Sequence, residues 1–206
     1  MSVVRAGIVG AGWIAREHRR VLADAAGVEL AAVCDTDPGR AADLASGTGA
    51  RTYADWRDML DREDLGALFV CTPPRAHREP AVAALGSGLP VYLEKPVART
   101  AADAAAIVAA AASAATAGTV CAVGYQWHAL DLLLELPDLL AGQQVGLLAG
   151  TSIGPTQSRP WFTDMRAGGQ PARARQPSPG PDPGGGGRGG GRAGGGVADP
   201  AGPRGG

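Results

Sequence analysis

From Val3 to Val123 the chain alternates short apolar runs with longer segments whose apolar residues recur at helical spacing. Residues 3–9, 28–34, 51–53, 67–71, 91–93 and 120–123 read as strands. Residues 13–25, 38–46, 56–60, 76–85 and the alanine-rich 101–117 read as the helices between them. Pro38 suits a first helical turn, and Gly86 and Gly88 suit a helix end. Alternation of this kind predicts an α/β domain over residues 1–124, built on a parallel sheet with helices on both faces.

At Tyr125 the pattern changes. Residues 129–140 read as a helix that Pro137 kinks or ends, and residues 145–153 read as a strand, so a second α/β domain is expected to begin over 125–170. It is expected to be incomplete, because residues 171–206 contain 14 glycines and 7 prolines and no aromatic residue. Val197 is the only sizeable aliphatic side chain there, so this Gly/Pro/Arg tail cannot bury a core and is expected to be disordered.

A net charge of −1 offers no electrostatic footprint for nucleic acid or for an anionic membrane. The alanine-rich segment carries Asp103, Ser113 and Thr116 and reads as a packing helix rather than a membrane span. Met1 leads directly into the first apolar run, which leaves no room for a secretory leader. Cys34, Cys71 and Cys121 each fall within or at the end of an apolar run and read as reduced core thiols, so a cytoplasmic location is expected.

The chemistry concentrates at strand ends. Gly10-Ala11-Gly12-Trp13-Ile14-Ala15 fits G-x-G-x-x-(G/A) between the first strand and the first helix. Its first glycine permits a tight turn, its second lets the backbone approach a pyrophosphate, and the N–H groups of Gly12, Trp13 and Ile14 would face that anion at a helix N-terminus. Asp35 ends the second strand, where its carboxylate can accept the adenine ribose hydroxyls and repel a 2′-phosphate. The fold expected is therefore a Rossmann-type doubly wound sheet that binds NAD, with NADP kept open because Arg40 could turn toward a 2′-phosphate.

The chain has one lysine among its 19 basic residues, Lys95, within Glu94-Lys95-Pro96 after the fifth strand. At the carboxyl end of a parallel strand its ammonium could hydrogen-bond a substrate hydroxyl and stabilise oxygen charge as hydride leaves the adjacent carbon. A solvated lysine beside a Glu94 ion pair is the plainer alternative. Thr72-Pro73-Pro74 with His77 follows the fourth strand and could lie along the ribose and nicotinamide, or His77 could simply begin a helix.

Taken together, Gly10 to Ala15, Asp35, Cys71-Thr72-Pro73-Pro74 with His77, Glu94-Lys95-Pro96 and Val123-Gly124-Tyr125-Gln126 resemble the Gfo/Idh/MocA family of oxidoreductases. The resemblance covers residues 1 to about 170. It implies hydride transfer between NAD(P) and a sugar, polyol or related hydroxyl or carbonyl compound, with no metal. It makes Lys95 the residue that contacts the reacting oxygen, with Glu94 and Pro96 orienting it at the cofactor. Arg159-Pro160-Trp161-Phe162 resembles the loop that covers the nicotinamide, so Trp161 contacts the cofactor or anchors that loop.

The sequence departs from the family pattern after Gly168-Gly169-Gln170, where a helix bearing an acid/base histidine is expected. No histidine follows His128, and the tail resembles a GC-rich coding region read in a shifted frame. Two readings follow. One is an active oxidoreductase of the family, a homo-oligomer in which the missing second-domain residues are hard to accommodate. The other is a fragment that binds nucleotide without turnover.

Overall fold

The computed structural model describes residues 3–125 and 130–142, and the first of these stretches contains six parallel strands in one sheet. In chain order the elements are β1 (Val4–Val9), α1 (Trp13–Asp24), β2 (Val28–Cys34), α2 (Pro38–Ala45), β3 (Arg51–Tyr53), α3 (Trp56–Arg62), β4 (Ala67–Val70), α4 (Arg78–Gly86), β5 (Val91–Leu93), α5 (Ala101–Thr116), β6 (Cys121–Val123) and α6 (Asp131–Leu139). The strands lie in the order β3-β2-β1-β4-β5-β6. The chain therefore builds one half outward from β1, returns to the centre, and builds the other half outward from β4. Between β1 and β4 successive connections leave in opposite directions, and a crevice opens above the carboxyl ends of those strands.

Successive residues of a strand face opposite sides of the sheet, and the core divides accordingly. Ile8 and Val33 pack with Ala11, Ala15, Ala41 and Leu44 beneath α1 and α2. Their neighbours Val9, Ala32 and Cys34 pack with Met59, Leu68, Val70, Leu85 and Ile107 beneath α3, α4 and α5. Ala81, Ala84 and Ala114 keep the α4–α5 contact thin, which explains why an alanine-rich helix serves there.

The helix starts are closed by side chains wherever a suitable residue precedes them. Asp37 Oδ1 accepts the N–H groups of Gly39 and Arg40 at α2, Asp55 accepts that of Arg57 at α3, and the Thr100 hydroxyl accepts that of Asp103 at α5. Two expectations shift. The helix after β4 begins at Arg78 rather than at 76, because Pro74–Ala76 forms a short 3₁₀ turn first. The chain stays helical through Pro137 and ends two residues later, at Leu139. The strand expected over 145–153, the loop 159–162 and the tail 171–206 lie outside the described residues. Among the described residues no helix is long and apolar enough to cross a membrane.

Leu68 is fully buried at the centre of the larger core. Leu68→Ala is expected to cost about 2–5 kcal/mol of stability, measured as a lowered urea midpoint with an unchanged slope.

Candidate functional site

At the end of β1 the backbone turns through Gly10 with φ +93°, a conformation that side chains disfavour. A Cβ there would stand 2.7 Å from the Thr72 amide nitrogen and 2.9 Å from the Cys71 carbonyl oxygen, so the loops after β1 and β4 meet with no space between them. Gly12 differs: a Cβ at that position meets nothing within 4 Å. The first glycine is required by packing inside the protein, whereas the second keeps free the surface that faces the crevice.

The glycine turn is pinned from the side by Asp35. Its Oδ2 accepts the Ala11 N–H at 2.7 Å and its Oδ1 accepts the Asp37 N–H at 2.9 Å. An ionised carboxylate has about four acceptor positions, so two remain for ribose hydroxyls after these bonds are made. Arg40, the candidate for a 2′-phosphate, donates from Nε to Asp37 Oδ2 at 3.1 Å. That hydrogen bond holds the Asp37 carboxyl below its ordinary range and ties Arg40 to the start of α2.

These residues border a cleft of about 940 Å³ at the carboxyl ends of the strands. It is lined by Gly10, Ala11, Gly12, Trp13 and Ile14 after β1, by Asp35 and Arg40 after β2, by Thr72 and Pro73 after β4, and by Glu94 and Lys95 after β5. Trp13 presents a largely exposed indole to it, at 55%. Arg16 and Arg75 also border it and add positive charge.

A dinucleotide fits the donors and acceptors present. The N-terminus of α1 has Gly12 as its cap, no side-chain cap hydrogen bond and no acidic residue in its first turn, and a helix start of this kind favours a pyrophosphate. The Thr72 hydroxyl is buried with no hydrogen-bond partner, the kind of group a bound ligand would satisfy. Gly12, Trp13 and Ile14 would hold the pyrophosphate, Asp35 the adenine ribose, and Thr72 and Pro73 the middle of the molecule.

His77 is placed differently from the expectation of cofactor contact. It is fully buried and does not border the cleft. Its Nε2 lies 2.7 Å from the Thr72 carbonyl oxygen and its Nδ1 3.1 Å from that of Val97. Burial pushes the imidazole pKa down despite these two acceptors, and a neutral ring donates to one of the two carbonyls. It secures the turn that carries Thr72 and Pro73. Glu94 also turns part of its carboxylate inward, where Oε1 accepts Nε2–H of His18 at 2.9 Å and Oε2 accepts the Lys95 N–H at 3.1 Å. The Lys95–Pro96 bond is cis.

His18 was not among the residues the motifs singled out. A signal for it exists, because Ile14, His18 and Leu22 recur every four residues, and a polar residue stands there in an otherwise apolar row. Trp161 lies outside the described residues.

Residues 4–125 match the family model described as "Oxidoreductase family, NAD-binding Rossmann fold", which is that of Gfo/Idh/MocA proteins. The chain belongs to the Gfo/Idh/MocA family of oxidoreductases. Inositol 2-dehydrogenase 3 of Saccharopolyspora erythraea is 39% identical over 106 residues, covering 51% of this chain and 31% of that protein. The 4-carboxy-2-hydroxymuconate-6-semialdehyde dehydrogenase of a Sphingobium strain is 32% identical over 123 residues, covering 59% of this chain and 38% of that protein. The chain thus spans about a third of the length of the curated relatives it matches. Among solved structures, the WlbA dehydrogenase of Chromobacterium violaceum, in complex with NADH and UDP-GlcNAcA, superposes with a TM-score of 0.61 at 30% identity. That match covers 68% of this chain and 40% of the other.

Two expected outcomes follow. Gly10→Ala strains the backbone and meets the Cys71–Thr72 backbone, so it should cost at least about 1–2 kcal/mol of stability, whereas Gly12→Asp should leave the thermal midpoint nearly unchanged. The folded pKa of His77 lies below the ordinary value of 6.5, so its contribution to stability is fully present above that value and is lost as pH falls below it, where the unfolded chain takes up the proton first. The melting temperature should therefore fall between pH 7.5 and 5.5 more steeply in the parent than in His77→Gln; equal slopes would refute this assignment.

Proposed function

We propose that this chain binds NAD across the cleft and that Lys95 serves hydride transfer at a hydroxyl-bearing carbon of a small sugar, polyol or related compound. The observation that carries this reading is the meeting, in one cleft, of a glycine-capped helix N-terminus, the Asp35 carboxylate and the chain's only lysine. Bound NAD would supply the hydride acceptor. Lys95 would donate a hydrogen bond to the substrate oxygen, lower the cost of removing its proton, and stabilise the charge that develops there. The substrate class is supported by the relatives, which are named for inositol and for a hydroxymuconate semialdehyde, and by the sugar nucleotide held by the Chromobacterium enzyme. NAD is preferred to NADP because Asp35 faces the ribose end and Arg40 is held by Asp37. The three free cysteines agree with a cytoplasmic location.

A second reading, nucleotide binding without turnover, is favoured by the placement of the two described histidines, one buried against the Thr72 and Val97 carbonyls and the other held by Glu94.

Calorimetric titration with NAD and NADP, followed by nicotinamide reduction assays over a panel of sugars and polyols, separates the two. The proposal expects saturable NAD binding that Gly12→Asp abolishes, and turnover that Lys95→Met lowers by about 10²–10⁴-fold without weakening NAD binding. Turnover that survives Lys95→Met removes the lysine from the chemistry. NAD binding with no substrate consumed by the parent establishes the second reading.

A further inference from the structure

Glu94 is a carboxylate inside the protein, only 7% exposed, and both of its oxygens are engaged. One takes Nε2–H of His18 and the other takes the backbone N–H of Lys95. The His18 ring reaches this point from α1 and is held on two sides, with its centroid 5.0 Å from that of Tyr92 and 5.5 Å from that of Phe69. Phe69 and Tyr92 stack on each other at 5.2 Å, which fixes the platform on which the imidazole rests. From the end of β6 the backbone of Gly124 closes the arrangement, since a Cβ there would stand 2.7 Å from the Tyr92 hydroxyl and 3.1 Å from Glu94 Oε1.

A buried carboxylate with one partner removed reorients or draws in water, because an uncompensated charge inside a protein is costly. The backbone of Lys95 would follow, since its N–H is bound to that same carboxylate. A continuous path of hydrogen bonds thus runs from the helix whose first turn faces the phosphate site, through His18 and Glu94, into the main chain of Lys95. His18 itself does not border the cleft.

We infer that His18 is a positioning residue for Lys95: its Nε2–H fixes the Glu94 carboxylate, which in turn fixes the backbone from which the lysine enters the cleft. The inference rests on the role given to Lys95 above. A purely structural His18 would tie α1 to the sheet through its ring, and a phenylalanine would do that equally well. A positioning His18 requires the donor.

The single lysine allows a direct readout. Reductive methylation with ¹³C-formaldehyde places one labelled dimethylamine at Lys95, apart from that at the chain's amino terminus. The parent and His18→Gln, whose amide can still donate to Glu94, should show the same Lys95 resonance and the same displacement on adding NAD. His18→Phe, which keeps the ring but donates nothing, should show a displaced resonance while its NAD affinity stays within a few-fold of the parent. Where turnover is measurable, kcat of His18→Phe should fall by about 10²-fold at unchanged KM for NAD, the scale expected for a misplaced catalytic group. A parent-like resonance in His18→Phe overturns the inference, as does a His18→Gln variant that behaves like His18→Phe. If His18→Phe does not fold, Glu94→Gln carries the same test, with a displaced resonance expected and an unchanged one decisive against it. Failure of the parent to bind NAD would overturn the cofactor reading instead, and the resonances of the unliganded variants would still decide the positioning role.

Discussion

The backbone contact between Gly10 and the Cys71–Thr72 peptide sets the geometry of everything above the sheet. β1 and β4 are adjacent, and their following loops would collide if the first residue after β1 carried a side chain. With glycine in the left-handed region, the loop after β1 folds flat onto its neighbour and the chain can enter α1 at once. The start of α1 then lies at the rim of the crevice, where Gly12, Trp13 and Ile14 line it. Asp35 reinforces the arrangement through the Ala11 N–H, so β1, β2 and β4 together define the wall a phosphate would meet.

Charge is distributed to match. The starts of α2, α3 and α5 are closed by Asp37, Asp55 and Thr100, so their helix dipoles are already answered from within the chain. Among these four, α1 has a glycine cap with no side-chain cap hydrogen bond and no acidic residue in its first turn. Asp37 serves twice, since it also accepts a hydrogen bond from the side chain of Arg40, which lines the cleft together with Asp35. The thiols of Cys34 and Cys71, which also border the cleft, are kept protonated by burial, Cys34 with its pKa pushed up to about 12, so neither brings nucleophilic chemistry to the site.

Most of this architecture is legible in the sequence because its signals are local. Residues 28–34 and 91–93 read as strands from composition alone, and both lie within the observed sheet over those same residues. The glycine turn, Asp35, Thr72 and Lys95 are legible for a different reason: a parallel sheet places every strand's carboxyl end on one side, so residues distant in sequence become neighbours once the alternation is recognised. The contacts that depend on which way a side chain turns are less visible. His77 occupies the expected turn, yet its ring points into carbonyl groups that no spacing rule identifies. His18 pairs with Glu94 across 76 residues, through a layer formed by Phe69 and Tyr92, and nothing in the local pattern of α1 names that partner.

The outermost strands of the described sheet, β3 and β6, are three residues each. The interior strands β1 and β2 are about twice as long, so the sheet tapers toward both sides. An outer strand offers unpaired amide and carbonyl groups on which another chain can extend the ladder, and the hazard grows with the length of that row. Tapering leaves only a short row on either flank, and Arg51 on β3 adds a charge that an incoming strand would have to accommodate. The layout that gathers the cleft at the middle of the sheet therefore also protects a small, apolar α/β domain from edge-to-edge association while its longest strands stay enclosed.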